Sequence, residues 1–326
     1  MKSPFSIAGL TTAAGAKSSG YMIVDETPGG STLRVPLMVA NGAEPGPTLL
    51  VTTGVHGDDL TTLPVIWEVA HRINPAELRG QWVGTPVANP PAFDAGSHLT
   101  PGDNKPLTFP GRREGTVSER IAFALTQQLL SGGVDYLIDM HGGSVRSTLA
   151  VLAMIEETGG ATQETQEKIA RAFGPDVLIR KGFKPNGARS LTGEANVRGI
   201  PAVVVGMGVY GFYEEFTERG TRGILDVMRV LGMLPGSVET RKPPTEALIE
   251  VYQQSPASGV FFSNVRVGAL VQKGQVVGTI RNMFGESVAD VVAQTTGVVD
   301  ALRHNPVIPA GDWVVSIAPL VAGKGR

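Results

Sequence analysis

Two stretches of the chain place metal-binding side chains directly behind β-rich runs. In PTLLVTTGVHGDD (residues 47–59) the run Thr48 to Thr53 stops at Gly54, and His56 and Asp59 follow. In the second stretch, Val134 to Met140 leads into His141-Gly142-Gly143. Side chains three apart converge in a turn or a first helical turn. Loops at the carboxyl ends of parallel strands meet in a shared crevice, where ligands bind in open α/β sheets. Two imidazoles and one carboxylate, with water completing the shell, form a catalytic zinc arrangement. Asp139 lies two residues before His141, which on a strand points it the same way, so it can orient a ligand from behind. His-x-x-Asp is a short motif, and spacing alone is also met by a chance pairing with His141 as a polar strand end. His71 reads as helix surface and His304 as a turn residue, whereas His98 sits in a long loop where function concentrates.

Composition narrows the chemistry. Cysteine is absent, which excludes disulfides, thiolate metal sites and a cysteine nucleophile, so any metal rests on His, Asp and Glu. The formal charge of −2 gives no electrostatic footprint for nucleic acid or an anionic membrane. The N-terminal twenty residues lack the sustained apolar core of a signal peptide. The most apolar run, Ile200 to Tyr213, is interrupted by Gly206, Gly208 and Gly211 and falls short of the roughly 20 residues of a membrane span. A soluble, cytoplasmic protein is expected, with a small molecule as partner and a homo-oligomer allowed.

The elements that must position these side chains alternate. A strand at Thr48–Thr53 precedes a helical pattern from Leu63, with Pro64 in its first turn, and a strand at Gln81–Ala88 follows. Next comes a Pro/Gly/Asn-rich loop, then TVSERIAFALTQQLL, where Thr116 and Glu119 are spaced as a capping box. Strands at Val134–Met140 and Ser147–Ile155, a polar helix at about 161–173, the strand IPAVVVG and the helix TERGTRGILDVMRVLGML complete the series. Such alternation implies an α/β fold with a mixed or parallel sheet flanked by helices. The linker-like Arg241-Lys242-Pro243-Pro244 divides a domain of residues 1–243 from one of 244–326, whose short Gly-separated β runs read as a small all-β domain, barrel or sandwich in form. GALVQKGQVVGTI looks like half of a biotinyl or lipoyl carrier, but the tip that would carry the modified lysine reads IRNMFGES, so that role is rejected.

From GVHGDD onward the sequence resembles the succinylglutamate desuccinylase/aspartoacylase family, relatives of the zinc carboxypeptidases. The stretches GPTLLVTTGVHGDD, VANPPAF, FPGRREGTVSERIA, LIDMHGG, GIPAVVV and GILDVMRVLGML carry the resemblance in order, and the β-rich tail looks like the C-terminal domain of bacterial members. The resemblance implies a zinc-carboxypeptidase-like fold and one zinc ion on His56, Asp59 and His141. It also implies hydrolysis of an amide joining an acyl group to an amino acid or amine, with a glutamate as base.

Four departures qualify the implied activity. Asp59 stands where the family usually has Glu. Gly206 follows GIPAVVV where the family has its catalytic Glu, and glycine moves no proton. His98 replaces a loop arginine as the candidate substrate contact, and the Asn-Arg pair before FPG is missing. The segment SLTGEANVRG carries Glu194 near the place of a further carboxylate-binding arginine. The last two changes predict a pocket with less positive charge, suited to a neutral substrate or one with a free amine. Glu194 is the candidate to bind that amine or to replace the base; its plainer reading is a carboxylate at a helix N-terminus. Glu214 and Glu215 can also approach the site or simply start a solvated helix, and Arg112 and Arg113 read as exposed loop residues. Three functions follow: a zinc-dependent deacylase on a small N-acylated amino acid or amine, a catalytically silent ligand-binding or scaffolding member, or a zinc enzyme of lyase or ring-opening chemistry.

Overall fold

The computed structural model describes residues 2–27, 29–185 and 189–321. A short hairpin, β1 (Phe5–Ile7) and β2 (Leu10–Thr12), precedes two long strands, β3 (Ala16–Glu26) and β4 (Thr32–Asn41). Then come β5 (Glu44–Thr53), α1 (Leu63–Arg72), β6 (Arg79–Thr85), α2 (Pro90–Asp94) and α3 (Val117–Ala124), which continues as a wider turn over Leu125–Leu130. They are followed by β7 (Tyr136–Gly142), β8 (Ser147–Glu157), α4 (Gly160–Phe173), β9 (Val177–Gly182), α5 (Leu191–Val197), β10 (Ala202–Gly208) and α6 (Glu214–Val230). The remainder is β: β11 (Thr245–Leu248), β12 (Val251–Gln254), β13 (Gly259–Ser263), β14 (Leu270–Val271), β15 (Val276–Arg281), β16 (Ser287–Val292), β17 (Gly297–Arg303), β18 (Val307–Ile308) and β19 (Trp313–Pro319).

Most strands form one mixed sheet in the order β12-β19-β17-β8-β10-β7-β5-β6-β4-β3. Its centre, β10-β7-β5-β6, is parallel, so the chain leaves β5 and β7 at the same end and strand-end side chains meet there. The alternation of side chains decides what each face does. On one face Ile138, Met140, Val203, Val205 and Met207 pack with Leu49 and Val51 beneath α1, α4 and α6. On the other, Leu50, Leu137 and Ala202 pack beneath α3 and α5, against Ile121, Leu125, Leu191 and Ala195. Glu119 returns to accept from the Thr116 backbone N–H at 2.8 Å, as the spacing in α3 predicts.

β3 and β4, unassigned from the sequence, extend the sheet edge in antiparallel pairing. β8 runs antiparallel to β10 and gives one edge to two partners: Ser147–Leu149 pair with β17, and Leu152–Glu157 with β9. The residues after 244 therefore do two things. Four strands, β16-β15-β13-β18, make a separate antiparallel sheet. Others continue the main sheet, and Ala150, Leu152, Val177 and Ile179 share an apolar cluster with Ala247, Val298 and Ala318. Among the described residues no helix is long and apolar enough to cross a membrane.

Candidate metal centre

One face of β7 climbs from core to crevice: Leu137 is packed under α5, Asp139 is buried, and His141 reaches the end of the strand. The register sets Thr52 of β5 beside Asp139, and the Thr52 hydroxyl donates to Asp139 Oδ1 at 2.6 Å. The other oxygen of Asp139 lies 3.2 Å from His141 Nε2, which leaves Nδ1 turned to Asp59 Oδ2 at 3.0 Å. His56 arrives from the loop after β5. That loop lies so close to α2 that a Cβ at Gly57 would fall 2.0 Å from the Ala92 carbonyl carbon, so only glycine fits beside His56.

The result is convergence: one ligating atom each from His56, Asp59 and His141 all lie within 4.8 Å of one another. Burial, set against Asp59, lowers the His56 pKa to about 4, so the ring is neutral at pH 7 with a lone pair free for a cation. At His141 burial acts downward but is overcome by Asp139 and Asp59, which hold its pKa well above the ordinary value. The donor set, two imidazoles and a carboxylate with an oriented second carboxylate behind, fits zinc.

His98 packs its ring on that of His56, with centroids 3.8 Å apart and planes 12° from parallel. Its Nδ1 lies 3.1 Å from Oδ1 of the buried Asp58. Burial would raise the Asp58 pKa, but hydrogen bonding and charge from His98 outweigh it and the net shift is downward. Asp58 was not singled out from the sequence, although the run GVHGDD holds it.

A cleft of about 460 Å³ opens over the centre, lined by Val55, His56, Asp139, His141, Leu107, Phe109 and Leu191 among others. Glu156, Lys181, Lys184 and Arg189 also line it. Positive charge is thus present, contrary to the expectation drawn from the long loop, because β9 and the loop after it supply it. The signal was the run RKGFK (residues 180–184) behind a strand not assigned from the sequence. Glu156 stands beside Lys181 in the β8–β9 register. Its Oε2 accepts from Asn196 Nδ2 at 3.1 Å, and Oε1 lies 3.5 Å from Lys181 Nζ.

The remaining candidates sit elsewhere. Glu194 occupies the first turn of α5, is buried, and accepts from Arg198 Nε at 2.7 Å; it does not line the cleft. Glu214 and Glu215 begin α6 exposed to solvent. Arg112 grips Glu119, and Arg113 borders a separate pocket. Gly206 pairs with His141 across β7 and β10, but a Cβ there would meet Leu152 at 3.2 Å and Leu149 at 3.4 Å. Leu152 and Leu149 crowd the place of a Cβ at 206 and would have to give way by a few tenths of an ångström.

Fold and site together define an α/β protein with a β-rich extension and a His/Asp cluster that could hold a metal ion. Residues 45–231 match the catalytic domain of the succinylglutamate desuccinylase/aspartoacylase family, and the chain belongs to that family. It is 28% identical over 311 residues to the N-alpha-acetyl-L-2,4-diaminobutyric acid deacetylase of Halomonas elongata, covering 92% of this chain and 90% of that one. Its fold is similar to a succinylglutamate desuccinylase/aspartoacylase from Rhodobacter sphaeroides, with a TM-score of 0.83, 24% identity, and 94% and 95% of the two chains covered. It is also similar to a product-bound ectoine utilization protein from Ruegeria pomeroyi, with a TM-score of 0.85, 23% identity, and 98% and 100% covered.

Proposed function

We propose that this protein is a zinc-dependent deacylase that hydrolyses the amide of a small N-acylated amino acid or amine, acting in the cytoplasm. The observation that carries the reading is the convergence of His56, Asp59 and His141, with His56 and His141 lining a cleft. A zinc ion on these three residues would supply Lewis acidity to the acyl carbonyl and to the attacking water. The chain's own residues do the rest. Thr52 fixes Asp139, and Asp139 fixes His141 with Nδ1 facing inward. Leu107, Phe109 and Leu191 give the cleft apolar walls. Lys181, Lys184 and Arg189 offer partners to a substrate carboxylate, and Glu156 offers one to an ammonium. The name of the Halomonas relative describes an acyl compound bearing both groups, which fits a cleft with both signs of charge.

A second reading, a silent ligand-binding member, is favoured by one observation: leucines occupy the space beside Gly206. Incubating zinc-loaded protein with a panel of N-acetyl amino acids and N-acetyl diamino acids, and measuring released amine, separates the two. The deacylase reading expects turnover, fastest on a substrate with a free ammonium and a carboxylate, and its loss in His56→Ala. Binding without release of amine across the panel would establish the silent reading instead.

A further inference from the structure

We infer that the cleft is built for an amino acid acylated on its side-chain amine, selected by Glu156 and Lys181, which hold its α-ammonium and α-carboxylate at the end of the cleft remote from His141. This rests on the deacylase reading and deepens it, because it fixes which nitrogen of the substrate carries the acyl group.

The sheet sets the spacing. His141 of β7 pairs with Gly206 of β10, which pairs with Leu152 of β8. β8 runs antiparallel to β10, so Met154 and then Glu156 step away from His141 down the same face. Glu156 ends level with the row of Leu137, four residues before His141, which is roughly 13 Å along the strands at about 3.3 Å per residue. His141 and Glu156 nevertheless line one cleft. Lys181 is the partner of Glu156 on the neighbouring strand β9, and it lines the cleft as well.

The charges of the cleft leave one place for an ammonium. Its acidic lining residues are Asp139 and Glu156. Asp139 is occupied, with Thr52 on one oxygen and His141 on the other. Glu156 has capacity to spare. Asn196 Nδ2 donates to its Oε2 at 3.1 Å, but among the described residues Oε1 has only Lys181 Nζ, at 3.5 Å. A tight charge-assisted bond is about 2.7–2.9 Å. The residue is still held in place, because its backbone N–H donates to Gln166 Oε1 at 2.9 Å. A carboxylate fixed in position but loosely paired can exchange Lys181 for a substrate ammonium, which frees Lys181 for a carboxylate.

A free amino-acid head carries those two charges on one carbon. It matches an acid and a base side by side on adjacent strands, about 4.8 Å apart. An amino acid acylated at its α-nitrogen has no ammonium there, and its carboxylate sits beside the amide, at the wrong end of the cleft. Leu107, Phe109 and Leu191 supply the apolar wall that a methylene chain joining head to amide needs. Lysine has the longest such chain of the common diamino acids and comes nearest to the gap.

The test uses Nε-acetyllysine, its isomer Nα-acetyllysine, and ε-acetamidocaproate, which is Nε-acetyllysine without the α-ammonium. Amine release by the zinc-loaded protein and binding by calorimetry are measured for each. The wild type is expected to favour Nε-acetyllysine over its isomer by about 10-fold or more in kcat/KM. Glu156→Gln keeps an oxygen for Asn196. It should weaken Nε-acetyllysine by about 10–100-fold, the worth of a hydrogen bond to a charged group, through KM rather than kcat, and ε-acetamidocaproate far less. Lys181→Met should weaken both compounds alike. If Glu156 only tied β8 to α5, its loss would lower Tm and slow all three compounds equally, which would overturn the assignment. Preference for the α isomer, or the same preference in both variants, would overturn it too, while amine released from any of the three keeps the deacylase reading. If none releases amine, binding decides: Nε-acetyllysine bound by the wild type and weakened in Glu156→Gln establishes the subsite on a silent protein, and no binding overturns it.

Discussion

Leu137, Asp139 and His141 share a face of β7, and the same alternation that buries the first delivers the last to the crevice. This is why the cluster was legible at the residue scale: the candidate ligands follow strands whose apolar runs announce their ends. Asp139 was legible for the same reason. What the sequence hid was lateral. Thr52 as its anchor depends on strand neighbours, and the stack of His98 on His56 joins residues 42 positions apart. Gly206 was visible as a missing carboxylate, but only packing shows that Leu149 and Leu152 fill its surroundings. Restoring the family residue should therefore fail. In Gly206→Glu the crowding at Cβ costs about 1–3 kcal/mol, because Leu152 and Leu149 must move to admit the new side chain. A lower Tm with no gain in turnover is expected in a thermal melt paired with the amine-release assay; a faster enzyme of unchanged Tm would refute the packing account.

At the scale of elements, strands with continuous apolar runs were legible in the sequence and those without them were not. β3 is an edge strand whose exposed and half-buried residues flank the single buried Met22, so its pattern lacks the buried run that marks β5 and β7. β9 ends in charged residues because it opens into the cleft, and with it went the cations of the pocket. The reversed direction of β8 follows from its tight return after Gly142, which periodicity cannot report. An element of the C-terminal region makes a prediction of its own. Asp300 on β17 is buried with Oδ1 unpartnered. Burial, joined by the charge of Glu250, raises its carboxyl pKa from 3.8 to about 7. Between those values the folded chain keeps a proton that the unfolded chain has released, so stability from this group is full below about pH 4 and is lost as pH rises to about 7. Asp300→Asn should therefore raise Tm more at pH 8 than at pH 4.5. An equal change at both would show that the carboxyl titrates normally.

For the whole molecule, the two-part organisation read from Arg241-Lys242-Pro243-Pro244 describes the chain's sequence character better than its contacts. β11 runs beside β9 and β17 beside β8, and one apolar cluster spans both parts. The all-β tail thus braces the strands that carry Glu156 and Lys181, although among the described residues it lines none of the cleft itself. Brace, sheet and loops together present one neutral imidazole, one carboxylate and one oriented imidazole to a single point, and the central claim is that this point binds the ion on which amide hydrolysis depends. It is tested most directly by measuring amine release from an N-acetyl diamino acid by chelator-stripped protein before and after zinc is returned. The account predicts no release without zinc, recovery with it, and no recovery in His141→Ala. Undiminished release from the stripped wild type would contradict it.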